Sequence, residues 1–158
     1  MKENKFTHVD GAGNPKMVDV SDKSITKRTA RAQSRIAVDN NILSLLKNDE
    51  IHTKKGPVFH TCIIAGVMAA KKTSDIIPFC HPIALDDCQI SIHVEQNEIV
   101  IDCTAITTGK TGVEMEALTG ASAAALTFYD MCKALSHDIV IKDTRLMSKT
   151  GGKKDFFR

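Results

Sequence analysis

From Ile90 to Cys103 the apolar residues keep a two-residue step: Ile90, Ile92 and Val94, then, past a Gln96-Asn97 turn, Ile99, Ile101 and Cys103. A period of two places one side of each segment against a core, so this stretch predicts an antiparallel hairpin. The segments on either side have a helical period. Gly56-Pro57 opens the first, with Pro57 suited to the first position of a helix that runs to about Lys72 and turns Val58, Cys62, Ile63, Val67 and Ala70 inward. Asp75-Ile76-Ile77-Pro78 stops it, because proline cannot donate and restricts the residue before it, and Phe79-Cys80-His81-Pro82 follows as a loop. Beyond Gly109 and Gly112 comes the longest helical signal, with Leu118, Ala121, Ala125, Phe128, Tyr129 and Cys132 at three- and four-residue steps and Gly120 weakening it slightly.

The remaining segments fit around this frame. Met17 to Val20 is expected to make a short strand. From Ser24 to Val38, Ala and Arg suit a helix, whereas Ile25, Ala30, Ala32 and Ile36 fall at even spacings; we take it as a strand. Asn40 to Leu46 reads as a short helix capped by Asn40 or Asn41. Ile139 to Ile141, continuing toward Leu146, supplies a last strand before a polar tail from Ser148 to Lys153. Strands side by side with two helices laid over them make an α+β fold, expected to be a ferredoxin-like antiparallel sheet with helices packed on one face. The other face must meet solvent or another subunit, which predicts an oligomer. No linker or repeat divides the 158 residues, so one domain is expected over 1–158, with mobile termini at about 1–15 and 150–158.

Composition narrows the function. Aromatic residues make up 4% of the chain and the net charge is +2, which provides neither a stacking platform nor a field for nucleic acid. The apolar run from Ile63 to Ala70 is too short to cross a bilayer, and no leading signal segment is present, so a cytoplasmic protein with no membrane partner is expected. Five cysteines (Cys62, Cys80, Cys88, Cys103 and Cys132) without a C-x-x-C pair argue against a disulfide framework and a zinc ribbon. Positive charge gathers at Lys23, Lys27, Arg28, Arg31 and Arg35 and again at Lys149, Lys153, Lys154 and Arg158, as a solvated face or as a site for an anionic small molecule.

Several residues could carry chemistry. Asp130 and Lys133 lie three apart near the end of the long helix, either as a surface ion pair or as an acid and a base that set each other's pKa. Glu114 and Glu116 open the same helix, where carboxylates suit the positive end of the dipole. They can reach one ligand together only if the turn there is still extended, which Gly109 and Gly112 permit, and the loop with Lys110 and Thr111 could offer N–H groups to a phosphate. His81 stands in an exposed loop beside Cys80, a position open to a ligand. Lys54, Lys55, Lys149 and Lys153 are phosphate-facing donors if the ligand is a triphosphate, and otherwise solvated charges.

Particular strings add to this. Met17-Val18-Asp19-Val20-Ser21, Lys55-Gly56, Ile77-Pro78-Phe79-Cys80-His81-Pro82, the run Thr108 to Thr119 (TGKTGVEMEALT) and Tyr129-Asp130-Met131-Cys132-Lys133-Ala134 resemble the cyclic pyranopterin monophosphate synthase family of molybdenum cofactor biosynthesis, in its order and nearly at its spacing. The likeness runs from about Phe6 to Phe156. Two departures stand out: Phe79 replaces an aliphatic residue, and Lys149-Thr150-Gly151-Gly152-Lys153-Lys154-Asp155-Phe156 is one residue shorter than the family's ending.

The resemblance implies a phosphorus–oxygen lyase that converts (8S)-3′,8-cyclo-7,8-dihydro-GTP to cyclic pyranopterin monophosphate and pyrophosphate. It implies a homohexamer built as a trimer of dimers, with the active site at a subunit interface. It also implies Asp130 as general acid/base, Lys55 and Lys133 as its catalytic partners, and Phe79, Cys80, His81, Glu114, Met115, Glu116 and Lys149 as substrate-binding residues. No tightly bound cofactor or metal is implied, beyond magnesium accompanying the triphosphate. Two other readings stand beside it: a non-catalytic nucleotide-binding module, and a metal or redox protein built on Cys80-His81.

Overall fold

The computed structural model describes residues 9–158, so the first eight residues of the expected mobile opening segment lie outside the described residues. The segment with mixed signals is a strand, β1 (Thr26–Ala37). Its even positions Ala30, Ala32, Ser34 and Ile36 are all buried. The chain then makes α1 (Asn40–Leu43), the short strands β2 (Leu46–Lys47), β3 (Glu50–Thr53) and β4 (Gly56–Pro57), then α2 (Val58–Ala70) and α3 (Thr73–Ile76). The expected hairpin is β5 (Asp87–Glu95) and β6 (Glu98–Gly109), and it is followed by α4 (Glu114–Cys132), β7 (Val140–Thr150) and β8 (Phe156–Phe157).

The main sheet has the order β5-β6-β1-β7-β8 and every pairing in it is antiparallel; β2, β3 and β4 form a separate small sheet. Taken as β1-α2-β5-β6-α4-β7, this is the ferredoxin-like arrangement, with α4 lying on β1, β6 and β7 and α2 packed against α4 and β5. The core is aliphatic: Ile36, Ile99 and Ile101 from the sheet meet Phe59, Cys62, Ala124, Ala125 and Phe128 from the helices. Gly120 has a packing reason that outweighs its poor helix propensity. A Cβ there would lie 2.6 Å from Cys103 Sγ, and one on the facing Gly66 would lie 2.9 Å from the Gly120 carbonyl oxygen, so the two helices cross almost backbone to backbone.

The sheet's opposite face is closed by side-chain ion pairs over the fully buried Val100. Arg31 reaches Asp102 at 2.8 Å, Arg35 spans Glu95 and Glu98 at 2.5 Å each, and Lys142 also pairs with Glu98.

Several local expectations are corrected. Met17–Val20 is not a strand, and among the described residues no strand pairs with it. The cap of α1 is Asp39, whose carboxylate accepts from Ile42 N–H at 3.1 Å and from Ser136 Oγ at 2.8 Å, and the helix ends at Leu43. Pro57 stands at the N-cap of α2 with no side-chain cap bond; the first-turn N–H groups of Phe59 and His60 are met by the Glu50 carboxylate from β3. Tyr129, expected on the apolar face of α4, is 40% exposed. The last strand continues to Thr150, through the start of the expected polar tail, and Phe156 and Phe157 fold back to pair with Lys149 and Ser148.

Candidate active site

The structure sorts the sequence-derived site residues into two groups at opposite ends of α4. At its C-terminal end, Lys55 Nζ donates to the Asp130 carboxylate at 2.7 Å and to its backbone carbonyl at 2.8 Å, and Lys133 Nζ meets the other carboxylate oxygen at 2.8 Å. Each carboxylate oxygen therefore holds one ammonium group. Hydrogen bonds from Lys133 and then Lys55 pull the Asp130 pKa down to about 2, while the same contact raises that of Lys133. Asp130 is thus ionised at neutral pH and organises two cations on an open surface. Lys133 is one turn of α4 away from Asp130, whereas Lys55 arrives from the tip of the β3–β4 hairpin.

At the N-terminal end there is a hollow instead. A cavity of about 610 Å³ is lined by Phe79, Cys80, His81, Glu114, Met115 and Glu116, among others. Glu116 is 2% exposed, and burial pushes its carboxyl pKa up. Burial, and then the neighbouring Glu116, also push the Cys80 thiol pKa up. His81 donates from Nε2 to the Val18 carbonyl at 2.8 Å, pinning the segment around Val18 to the rim. Cys80, His81, Glu114 and Glu116 share this cavity, but among the described residues no three His, Cys, Asp or Glu side chains are arranged to hold a metal ion.

An adjoining cavity of about 300 Å³ is strongly cationic, with Lys23, Arg28, Lys149, Lys153 and Lys154 on its walls. Lys149 Nζ pairs with Glu114 at 2.9 Å, and Glu114 lines both cavities. This geometry depends on Gly112, because a Cβ there would sit 1.9 Å from Glu114 Oε2. Gly151 holds the other wall: at φ +83° its Cα is so close to β1 that a Cβ would lie 1.9 Å from the Lys27 carbonyl oxygen. Arg28, which the sequence leaves open between a solvated face and an anion site, is fixed by its Nε on the Gly109 carbonyl at 3.0 Å. The basic cluster of β1 therefore divides: Arg31 and Arg35 are tied up in the sheet's ion pairs, while Arg28 faces the cavity. Lys110 does not face it; its Nζ donates to the Ser21 carbonyl at 2.6 Å.

All seven residues expected to bind substrate thus lie at one end of α4 and all three expected catalytic residues at the other. From Glu114 to Asp130 is 16 residues of helix, about 24 Å at 1.5 Å per residue.

Comparison with known proteins gives the same residues a context. Residues 17–152 match the model of the MoaC family. A cyclic pyranopterin monophosphate synthase of Xanthomonas axonopodis pv. citri is 50% identical over 96% of this chain and 92% of its own length. The molybdenum cofactor biosynthesis protein 1 of Dictyostelium discoideum is 53% identical over 97% of this chain, which spans only 27% of that longer protein. A molybdenum cofactor biosynthesis bifunctional protein of Synechocystis is 50% identical, and the chain spans 45% of it. With a match over most of its length and half its residues shared with these relatives, the chain belongs to the MoaC family.

Proposed function

We propose that the protein is a cyclic pyranopterin monophosphate synthase, a lyase of molybdenum cofactor biosynthesis that converts (8S)-3′,8-cyclo-7,8-dihydro-GTP to cyclic pyranopterin monophosphate with release of pyrophosphate. The observation that carries the reading is Asp130 bridging Lys55 and Lys133 within a chain that also builds a cation-walled cavity. Opening the five-membered ring of the purine and closing the pyran need proton transfers, and forming the cyclic phosphate needs cations where pyrophosphate leaves. In this reading Lys55 and Lys133 exchange protons with the substrate and ionised Asp130 orients them. Lys149, Lys153 and Arg28 take the triphosphate, with magnesium accompanying it and no resident cofactor. His81, Glu114, Met115 and Glu116 hold the base, against Phe79 and Cys80.

A proton donor acts within about 3 Å, whereas the two groups of residues are separated by most of a 19-residue helix. The reading therefore includes a second copy of the chain, whose Asp130 end completes the Glu114 end of the first. Ile64, Met68 and Leu126, each more than half exposed on the outer side of the helices, are apolar surface for such a partner. A homohexamer built as a trimer of dimers, working in the cytoplasm, fits this arrangement.

The test is anaerobic incubation of the purified protein with the cyclic dihydro-GTP, following pyrophosphate and the cyclic pyranopterin phosphate together. Both products at catalytic yield are expected. A folded oligomer that binds the compound and yields neither product would instead be a non-catalytic nucleotide-binding module.

A further inference from the structure

α2 begins behind a proline, so its own cap residue offers no side-chain acceptor to the N–H groups of the first turn. The acceptor comes from Glu50, the first residue of β3 and only 6% exposed. Four donors converge on its carboxylate: the N–H groups of Ile51 at 2.8 Å, Phe59 at 2.8 Å and His60 at 3.1 Å, and His60 Nδ1 at 2.5 Å. Burial opposes a charge there, yet the hydrogen bonds led by His60 hold the Glu50 pKa at about 2.

The element that starts at Glu50 ends at Lys55. β3 and β4 share only two residue pairs, His52 with Pro57 and Thr53 with Gly56, and Lys54-Lys55 form the turn between them. So short a ladder does not hold its own position. At its tip Thr53 Oγ1 accepts from Lys55 N–H at 3.1 Å, and the Lys55–Asp130 pair is about half exposed on both sides, where an ion pair contributes little order. The direction in which Lys55 points is therefore set at the hairpin's base.

We propose that Glu50, with His60 as its ring donor, is a positioning residue for Lys55: its buried carboxylate locks the base of the β3–β4 hairpin to the first turn of α2 and so holds Lys55 Nζ on Asp130. The inference rests on Lys55 being a catalytic group, but its mechanical part can be read without turnover. The experiment is limiting acetylation of the intact protein with acetic anhydride, scored lysine by lysine by mass spectrometry, alongside kcat and KM. In the wild type Lys55 should label several-fold more slowly than its neighbour Lys54. Glu50→Gln, which keeps the shape and loses the charge, should bring the two rates together and lower kcat about tenfold, the scale of a small misplacement, with KM unchanged. His60→Ala, removing one donor from a ring that is largely exposed, should shift the ratio in the same direction by less.

Ser34→Ala breaks the buried Ser34–Thr144 pair in the sheet, and it should lower Tm while leaving the labelling ratio alone. Equal labelling of Lys54 and Lys55 in the wild type, or an unchanged ratio in Glu50→Gln, overturns the proposal. If Glu50→Gln does not fold, an unchanged ratio in His60→Ala overturns it in the same way. Full turnover by Lys55→Ala, with Lys55 still freed in Glu50→Gln, would remove the catalytic reading and keep the mechanical one.

Discussion

The two ends of α4 present ionisable groups by opposite means. At the Glu114 end the groups line hollows, and glycines decide where they sit: Gly112 makes room for the Glu114 carboxylate and Gly151 lets the chain cross β1. At the Asp130 end a carboxylate holds two lysines on an open surface. Binding a large anion needs many donors with a fixed shape around them. Moving protons needs few groups whose charges are set by one another. In the proposed function, the separation of the ends along one helix separates these two jobs.

The largest effects should come from the ion-paired end. Lys55→Ala, Asp130→Asn or Lys133→Ala should each cut turnover by at least about 10²-fold, the scale of a lost acid–base group. Because the pairs are exposed, Tm should move by no more than about 4 °C. Wild-type rates in all three variants would end the division of labour. Mixing Asp130→Asn with Lys149→Ala protein sharpens it: oligomers that exchange subunits should regain activity above either parent, and no recovery would mean that the site does not span two copies.

Smaller effects belong to the cavity end. Lys149→Ala should raise KM by about tenfold or more, as expected for a charged hydrogen bond, with a lesser change in kcat. Gly112→Ala should raise KM several-fold by displacing Glu114, and in a Glu114→Ala background it should do almost nothing, because the clashing carboxylate is gone. Additive losses would show that Gly112 matters for another reason.

The smallest effect appears only in acid. Glu50 and Asp130 both have native pKa values near 2, below the ordinary carboxyl range, so each contributes stability that is present above pH 4.5 and lost as the pH falls toward 2. Water screens exposed Asp130, and buried Glu50 should supply most of the stability lost across this window, on the order of 3 kcal/mol. Chemical denaturation across that window should give a flatter pH dependence for Glu50→Gln and a nearly unchanged one for Asp130→Asn. The reverse order would mean that the exposed pair outweighs the buried cap.

What the sequence made legible follows from the range of the forces involved. The hairpin and both long helices show in local apolar periodicity, and β1 is legible through Ala30, Ala32 and Ile36 despite its arginines. Met17–Val20 has strand composition but no strand partner among the described residues, and pairing is decided by the rest of the chain. Sequence offers Asn40 or Asn41 as the cap of α1, whereas the cap is Asp39, which is also drawn by Ser136, nearly a hundred positions away. In the site, spacing exposes Asp130 with Lys133, but Lys55 joins them across 75 residues and was legible only through family resemblance. Composition could not separate Arg28, which faces the cavity, from Arg31 and Arg35, which brace the sheet, since strand register decides among them. Glu50 gave no sequence signal at all, because a carboxylate capping a different element resembles any surface glutamate.

The close crossing of α2 and α4 at Gly66 and Gly120 also makes α4 a ruler. One residue inserted between Glu116 and Asp130 would turn everything beyond it by about 100° and advance it by about 1.5 Å. Asp130 would then swing away from Lys55, while every residue at the other end kept its place. The number of residues in α4 therefore fixes the relation between its two ends as firmly as the residues that stand there.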